Sequence, residues 1–423
     1  MLTLVSAAAP VTGTCWSLSL YRSLVLGRLK KLALPLEMRE GGQVVLASVG
    51  EPRARVEVLD PRMWRAVALD GSDGSGDAYG EGWWTADSLT EVVRLFARSR
   101  RELQKLDGGL GRLLQPLHRL RHALRRNSKD GARANIHAHY DLGNAFFQPW
   151  LDPSMTYSSA IFAHPQEDLL TAQHRKLDRL FDLLDLQPGE HLVEIGTGWG
   201  ELAIRAAQTR GVKVTTITIS TEQHAHACAR VKALGLTERV QVLLCDYRDL
   251  QGQFDKLVSV EMVEAVGHQY HGVYLDTIGR LLKPTGAAAI QAITIPAQDF
   301  AAARDAADFI KRHIFPGSCI PSIAALVEAA RTTSDLELVE SRDFGPHYTQ
   351  TLERWRSAFL AAASDLEAQG YDARFRRLWE FYLSYCAGGF AERAIGLSHL
   401  LFAKPGWRAR GHDALVDHLR ATA

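Results

Sequence analysis

The sequence predicts an α/β protein built on a Rossmann-like, doubly wound sheet, and three observations support this prediction. From about residue 131, apolar strand-like runs alternate with helical patterns. A glycine-rich loop at 196–200 joins the first run to a helix, and a mostly helical tail rich in aromatic residues follows from about residue 297. Alternating strands and helices form parallel sheets whose carboxyl strand ends share one ligand-binding edge. The predicted strands are 192–195, 212–219, 240–245, 257–260 and 287–293.

The composition is that of an ordinary folded protein with room for more than one domain. The 423 residues are 46% hydrophobic and 23% charged, and the net charge is +1. The five cysteines are scattered without a C-x-x-C pair, so we expect no metal site, no disulfide framework and a cytoplasmic location. No uncharged apolar run reaches the roughly 18–20 residues that span a bilayer, so any membrane association is expected to be peripheral.

The N-terminal part has a different sequence pattern. It is predicted to form a small α+β domain over residues 1–130, followed by the α/β domain at 131–423. An amphipathic helix is expected at 1–36, short strands at 40–70, a glycine- and serine-rich loop at 71–77 and a helix at about 88–99. No internal repeat is present in the sequence.

Residues 94–129 are the most basic part of the chain. They carry 11 Lys and Arg residues against Glu102 and Asp107, with leucines at roughly helical spacing. Such a basic amphipathic helix is typical of a membrane surface element or a nucleic-acid contact, and a solvated linker helix is the other interpretation. Because aromatic residues are not interleaved along this segment in a way that would stack on bases, with Phe96 alone present, anionic lipid is favoured over nucleic acid.

The glycine loop is predicted to bind a nucleotide-type cofactor. Its glycines Gly196, Gly198 and Gly200 follow Glu194 at the end of a strand and precede a helix. Glycines let the backbone approach a ligand closely, and a helix start offers unpaired N–H groups. The spacing is G-x-G-x-G rather than the dinucleotide G-x-G-x-x-G, which suits a ligand without a pyrophosphate, such as S-adenosylmethionine. An ordinary tight turn is the alternative.

Two further strand ends carry polar residues suited to the same ligand. Thr218, Ser220 and Gln223 offer hydrogen bonds to ribose hydroxyls, although Ser220 and Gln223 also read as a helix cap. Asp246 offers an acceptor to an adenine amino group and Tyr247 a ring for stacking, while a loop cap is the other interpretation of Asp246.

The fourth predicted strand runs into two acids, Glu261 and Glu264. Both lie where a central strand meets the ligand-binding edge. Buried carboxylates are costly unless they are paired or used, so this segment is a candidate for chemistry.

These segments resemble the cyclopropane-fatty-acyl-phospholipid synthase family, which includes the mycolic acid cyclopropane synthases. The matching segments occur in family order over about residues 131–405, and they are 139–144, 155–159, 196–200, 218–223, 246–248, 261–268, 314–317, 321–322, 348–352 and 385–388. The resemblance implies a class I methyltransferase fold with helical lid and tail insertions and S-adenosylmethionine as cofactor. It also implies a cis double bond in a membrane phospholipid as acceptor, a cyclopropane as product, and a homodimer.

The resemblance also implies a bound bicarbonate ion as the ring-closing base. Glu264 and Tyr348 would hold this anion, together with the backbone near Ile293. Ser159 and Gln291 stand where well-known bacterial members have Cys and His. Both remain hydrogen-bonding residues, so an anion could still be held.

Three other residues take roles from the same resemblance. Tyr157 and Ser158 match positions that contact the cofactor. Cys386 matches a cysteine once proposed to be catalytic, but no His or Lys stands near it in sequence to lower its pKa, so a packing role is favoured.

Alternative functions share part of this evidence. Methyl transfer that ends in a methyl-branched or methylene-containing chain uses the same carbocation. A nucleic-acid methyltransferase would use the basic 94–129 segment, but no base-methylating motif is present. A non-catalytic lipid-binding protein would not require the glycine loop together with Glu264.

Overall fold

The computed structural model describes residues 15–106, 142–306 and 308–409. The chain forms two compact units, and each is described by itself. The first comprises Met1–Leu114 and Ala373–Phe381, and the second comprises Gln115–Asp372 and Tyr382–Ala423.

The first unit is a small α+β unit around a four-stranded sheet of order β2-β1-β3-β4. Its strands are β1 Leu36–Glu40, β2 Gln43–Leu46, β3 Ala54–Val58 and β4 Trp84–Ala86, and its helices are Cys15–Leu32, Arg62–Gly80, Leu89–Arg98 and Arg100–Leu106. β1 and β3 are parallel, while the β1–β2 and β3–β4 pairs are antiparallel. The Phe381 ring packs 5.8 Å from Tyr79 and 6.4 Å from Trp84.

The predicted loop at 71–77 is wrong, because this stretch lies inside the helix Arg62–Gly80. Only Gly71 leaves the helical region, with φ 57° and ψ −125°, and it makes a kink. At Gly74 the glycine serves close packing, since a Cβ there would lie 2.1 Å from the Ala66 carbonyl oxygen. The same helix also replaces the strands expected near residue 70.

Other N-terminal predictions agree with the described residues. The helix expected at 88–99 is observed as Leu89–Arg98, and the described part of the 1–36 prediction is helical over Cys15–Leu32. The start of the basic segment contains two helices divided at Ser99 rather than one helix. Its remainder, 107–129, lies outside the described residues, as do His139, Tyr140 and Asp141.

The second unit contains a seven-stranded sheet of order β10-β11-β9-β8-β5-β6-β7. Its strands are β5 His191–Ile195, β6 Lys213–Thr218, β7 Val240–Leu244, β8 Phe254–Val260, β9 Leu282–Thr294, β10 Glu337–Asp343 and β11 Gly396–Ala403. The five predicted strands are confirmed as β5 to β9, and all neighbours among them are parallel. The predicted doubly wound α/β fold is therefore confirmed.

The tail prediction missed the last two strands, β10 and β11, which extend the sheet with antiparallel pairing. β11 is buried along almost its whole length between β9 and β10. A short apolar run buried on both faces carries no alternating pattern, so periodicity does not separate it from a buried helix.

Helices cover both faces of this sheet, and four of them begin at a side-chain cap: Asp168, Ser220, Asp308 and Ser322. The helices of the unit are Asn144–Phe147, Leu169–Leu183, Glu201–Arg210, Thr221–Ala233, His271–Leu281, Ala297–Asp305, Phe309–His313, Ile323–Thr333, Gly345–Ala361, Ala363–Ala368 and the end of Ala373–Ala391. Leu192 and Val258 belong to one apolar core cluster, while Val193 and Leu257 belong to a second. Within the described ranges, no helix is both long and apolar enough to cross a bilayer.

Candidate active site

The glycine loop leaves the end of β5 in a conformation that requires glycine. Gly196, Gly198 and Gly200 have φ values of 100°, 51° and 92°, in the region that side chains disfavour. The Gly196 and Thr197 N–H groups both donate to the Ile217 carbonyl of β6, at 3.0 Å. A Cβ on Gly198 would meet nothing within 4 Å, so the crest of the loop leaves room for a close ligand contact.

Glu194 is a buried carboxylate at the end of β5. The Thr216 hydroxyl donates to Glu194 Oε2 at 2.6 Å, and the hydroxyl oxygens of Thr216 and Thr197 lie 2.7 Å apart. Burial raises the pKa of Glu194 to about 8. The residue therefore links β5, β6 and the glycine loop, and its predicted contact with a cofactor stays a prediction.

The end of β6 shows the predicted helix cap. Ser220 Oγ accepts from the Gln223 backbone N–H at 3.3 Å, and Thr218 Oγ1 donates to Gln223 Oε1 at 3.0 Å. Among the described residues, none accepts a hydrogen bond from the Gln223 side-chain nitrogen. A donor is thus held in place at the ligand-binding edge.

Asp246 and Tyr247 follow β7, and Arg248 holds the acid. Asp246 accepts from Arg248 Nε at 2.8 Å, from Nη2 at 2.6 Å and from the Arg248 backbone N–H at 3.0 Å. The loop-cap interpretation is therefore correct, and the adenine contact stays a prediction. Burial raises the pKa of Tyr247 to about 12, and its ring meets Tyr274 edge-on at 5.7 Å. We call the glycine loop and the ends of β5, β6 and β7 the cofactor half.

Ser158 and Tyr157 lie in a buried loop that leads to a second group of side chains. Ser158 Oγ accepts a 2.7 Å hydrogen bond from Lys176 Nζ, and the Tyr157 and Tyr382 hydroxyls lie 2.8 Å apart. Lys176 is fully buried, and burial lowers its pKa to about 8 against the opposing charges of Glu261, Asp152 and Glu194.

Sequence reasoning missed Lys176, although a signal was present. It lies on the same face of the helix Leu169–Leu183 as Leu180 and the buried Gln173. A lysine on the apolar face of a helix is unusual unless it is paired.

Glu261 is the centre of the second group, although it was not among the predicted site residues. Its Oε1 accepts from the Ser159 backbone N–H at 2.9 Å and from Gln291 Nε2 at 2.8 Å. Its Oε2 accepts from the Tyr348 hydroxyl at 2.6 Å. The predicted residues Ser159, Gln291 and Tyr348 are therefore brought together by their hydrogen bonds to Glu261.

Gln291 is oriented by a second contact on β11. Its Nε2 faces the Glu261 carboxylate and the Ser159 carbonyl, so its Oε1 faces His399 Nε2, 2.8 Å away. His399 must donate this bond, which assigns the proton to Nε2. Burial holds the pKa of His399 well below its usual value, so the ring is neutral.

Glu264 lies beside Glu261 but makes different contacts. Its Oε1 accepts from the Ile293 backbone N–H at 2.5 Å, and no described residue donates to its buried Oε2. Burial and the neighbouring Glu261 charge raise the pKa of Glu264 to about 8. We call Glu261, Glu264, Ser159, Gln291 and Tyr348 the carboxylate cluster.

Aromatic side chains lie against this cluster. Tyr348 stacks on Phe390 at 4.4 Å and meets Trp355 edge-on at 6.1 Å, and Trp355 lies 5.1 Å from Tyr157. Tyr157 in turn lies 5.6 Å from Trp150. The cluster thus lies beside a continuous group of rings.

Comparison with known proteins now decides the family. The family model for mycolic acid cyclopropane synthetase matches residues 127–400. The chain belongs to this family. Cyclopropane-fatty-acyl-phospholipid synthase of Escherichia coli is 35% identical over 361 residues, which cover 85% of this chain and 90% of that protein. The tuberculostearic acid methyltransferase UfaA1 of Mycobacterium tuberculosis is 41% identical over 333 residues, 77% of each chain.

Solved structures agree with this assignment. The mycolic acid cyclopropane synthase CmaA1, complexed with SAH and CTAB, matches with a TM-score of 0.60 and 31% identity over 64% of this chain and 98% of that one. MmaA2 of M. tuberculosis also has a TM-score of 0.60, with 30% identity. The predicted resemblance is confirmed, and this family member is an S-adenosylmethionine-dependent methyltransferase.

The residues of the cofactor half fit S-adenosylmethionine. The crest at Gly198 has space for a close contact, and the Gln223 side-chain nitrogen is not used by a described residue. The compact loop suits a ligand without a pyrophosphate.

The carboxylate cluster does not fit the bicarbonate ion that the resemblance implied. The Ser159 N–H, the Gln291 amide and the Tyr348 hydroxyl all donate to Glu261. A bound anion would have to displace the Glu261 carboxylate from these donors. It would also lie next to Glu264, whose pKa is already raised by burial and by the Glu261 charge. The buried Glu261 carboxylate opposes a second negative charge in the same place.

Cys386 lies in the helix Ala373–Ala391, within the segment 385–388 that resembles the family. Burial raises the pKa of its thiol, so it is protonated and a poor nucleophile. This supports the packing role expected from its sequence context.

Proposed function

We propose that this enzyme transfers a methylene group from S-adenosylmethionine to the cis double bond of an unsaturated phospholipid acyl chain and forms a cyclopropane ring. One observation carries the proposal: a buried carboxylate cluster lies against a group of aromatic rings, in the same α/β unit as the methyl-donor fold. The name of the E. coli relative supports the substrate class.

The aromatic rings suit the difficult part of this reaction. Bound S-adenosylmethionine would supply an electrophilic methyl group on a sulfonium ion. An alkene is a weak nucleophile, so the protein must align it and exclude water. Methyl transfer leaves a carbocation, and aromatic faces such as those of Tyr157, Trp355 and Tyr348 stabilise cations.

A buried base is the second requirement. Ring closure needs a proton to leave the transferred methyl group, and a carboxylate within reach of that carbon accepts it. The carboxylate cluster supplies two acids on one turn of chain after β8, at the edge of the sheet where ligands bind.

The lipid substrate agrees with the charge of the first unit. Four arginines, Arg94, Arg98, Arg100 and Arg101, stand within eight residues of sequence on two described helices, and Arg94 is paired with Glu91. Clustered basic residues attract anionic headgroups, and salt weakens this attraction. The proposal therefore places the enzyme at the surface of an anionic membrane.

Methyl transfer that ends in a methyl-branched chain is a second candidate, because UfaA1 is named a tuberculostearic acid methyltransferase and is 41% identical. A saturated branched product needs a hydride in addition to the methyl group, since the carbocation left by methyl transfer must be reduced. The carboxylate cluster supplies a proton acceptor and no hydride, which favours the ring.

The test uses the purified enzyme, methyl-deuterated S-adenosylmethionine and vesicles of an anionic phospholipid with cis-unsaturated chains. A cyclopropane and a methylene-bearing chain are isomers that each keep two of the three deuterium atoms, and proton NMR distinguishes them because only the ring has high-field C–H signals. A saturated branch carries additional hydrogen and is recognised by its mass when a hydride donor is added to the assay. Vesicles of saturated lipid are the control and should give no product. A methylene-bearing chain as the main product would refute cyclopropanation.

A further inference from the structure

We propose that the Glu261 side chain is itself the ring-closing base and takes the place that an external anion would occupy. The inference rests on the proposed function, and it assigns a catalytic role to a residue that the sequence analysis placed in a candidate segment without a role of its own.

The first argument is the set of donors around the carboxylate. Ser159, Gln291 and Tyr348 are residues expected to surround a bound anion, and each donates a hydrogen bond of 2.6 to 2.9 Å to Glu261. The Glu261 carboxylate therefore already occupies the position that a bound anion would take among these donors. Such preorganised donors hold a carboxylate in one orientation without further reorganisation.

The second argument separates Glu261 from Glu264. Burial raises the pKa of Glu261, but three donors and the buried Lys176 charge oppose this shift and favour the ionised form. Glu264 has one backbone donor and one buried oxygen without a described partner, and its pKa rises to about 8. When two close carboxylates share one negative charge, the better-solvated one keeps it. Glu261 is thus the proton acceptor and Glu264 the neutral neighbour.

The third argument is the backbone at Glu261. Its φ is 49°, a left-handed conformation that suits glycine and is unfavourable for a residue with a side chain. Its N–H donates to the Gln291 carbonyl at 2.8 Å, so backbone and side chain are both anchored on Gln291. A glutamate at a strained position indicates a use for its carboxylate.

The chemical step balances without another reactant. The methyl–sulfur bond breaks and its carbon forms a bond to one alkene carbon, which leaves a thioether and a carbocation on the other alkene carbon. A C–H bond of the transferred methyl then breaks. Its electron pair forms the second C–C bond of the ring, and its proton goes to a Glu261 carboxylate oxygen.

The first experiment needs no variant. Wild-type enzyme is assayed with unsaturated phospholipid vesicles in ordinary buffer and in buffer depleted of carbon dioxide, with and without added bicarbonate. We expect equal rates in all three. A rate that collapses on depletion and returns with bicarbonate would overturn the inference.

The second experiment removes the carboxylate. Glu261→Gly accepts the left-handed backbone without strain and leaves three donors around an open space. We expect turnover to fall by about 100-fold or more, as for loss of a general base, with partial rescue by formate or bicarbonate and unchanged S-adenosylmethionine binding by calorimetry. Asp185→Gly is the matched control, because Asp185 also has a left-handed φ of 48° and lies outside the cluster.

The outcomes separate the two proposals. If wild type forms no alkylated lipid in ordinary buffer, the proposed function fails. If wild type forms the cyclopropane and Glu261→Gly is equally active without added anion, only the Glu261 inference fails. If the variant does not bind S-adenosylmethionine, the carbon dioxide experiment on wild type alone decides the inference.

Discussion

The cofactor half and the carboxylate cluster both contain buried acids, but they are assembled in opposite ways. In the cofactor half, Thr218 pairs with Gln223 five residues away and Asp246 with Arg248 two residues away. In the cluster, Glu261 meets partners 30, 87 and 102 residues away in sequence. Even the contact of Glu194 with Thr216, on the neighbouring strand, spans only 22 residues. The first is therefore encoded over short stretches of chain, whereas the second joins distant segments of the folded sheet.

Lys176 tests whether the two regions are independent, because its charge acts on Glu194 in one and Glu261 in the other. We expect Lys176→Met to lower the free energy of unfolding by about 3 kcal/mol, since it leaves buried carboxylates without their cation. Urea denaturation followed by circular dichroism measures this. Lys283→Met is the control, because the half-exposed Lys283–Asp255 ion pair should contribute less than about 1 kcal/mol. Equal losses would refute the shared role of Lys176.

Tyr348→Phe should affect the cluster alone. It removes the 2.6 Å hydrogen bond to Glu261, and a bond to a charged acceptor contributes about 2 kcal/mol, or roughly a 30-fold loss of turnover. Steady-state kinetics should show the loss in kcat with an unchanged KM for S-adenosylmethionine. An effect on KM only would indicate that Tyr348 contributes to cofactor binding instead of to the chemical step.

Gln223→Leu should affect the cofactor half alone. Loss of a neutral hydrogen bond costs about 1 kcal/mol, so we expect KM for S-adenosylmethionine to rise roughly fivefold with kcat unchanged. Gln251→Leu, at an exposed loop position, is the matched control. A fall in kcat without a rise in KM would contradict the assignment of Gln223.

Cys386→Ser should have the smallest effect. The buried thiol is protonated and its replacement is close in shape, so kcat and KM should stay within about twofold of wild type. A large loss of kcat, with unchanged thermal unfolding, would indicate that Cys386 takes part in catalysis.

Sequence reasoning was most successful where contacts are local. The five central strands, the glycine loop and the Ser220 cap follow from apolar runs, glycine spacing and a capping pattern. It failed at 71–77, where glycines serve packing inside a helix, and at β11, whose burial on both faces removes the alternation that marks a strand.

The sequence by itself determined the family, the methyl-donor loop and most residues of the site, because each depends on short motifs in a given order. Only the tertiary structure decided that the other residues of the carboxylate cluster surround Glu261 rather than Glu264. Ser159, Gln291 and Tyr348 come from three distant segments, and sheet pairing together with the helix Gly345–Ala361 directs them to Glu261. Hydrogen bonds of this kind depend on side-chain positions to within a fraction of an ångström, which spacing along the chain does not specify.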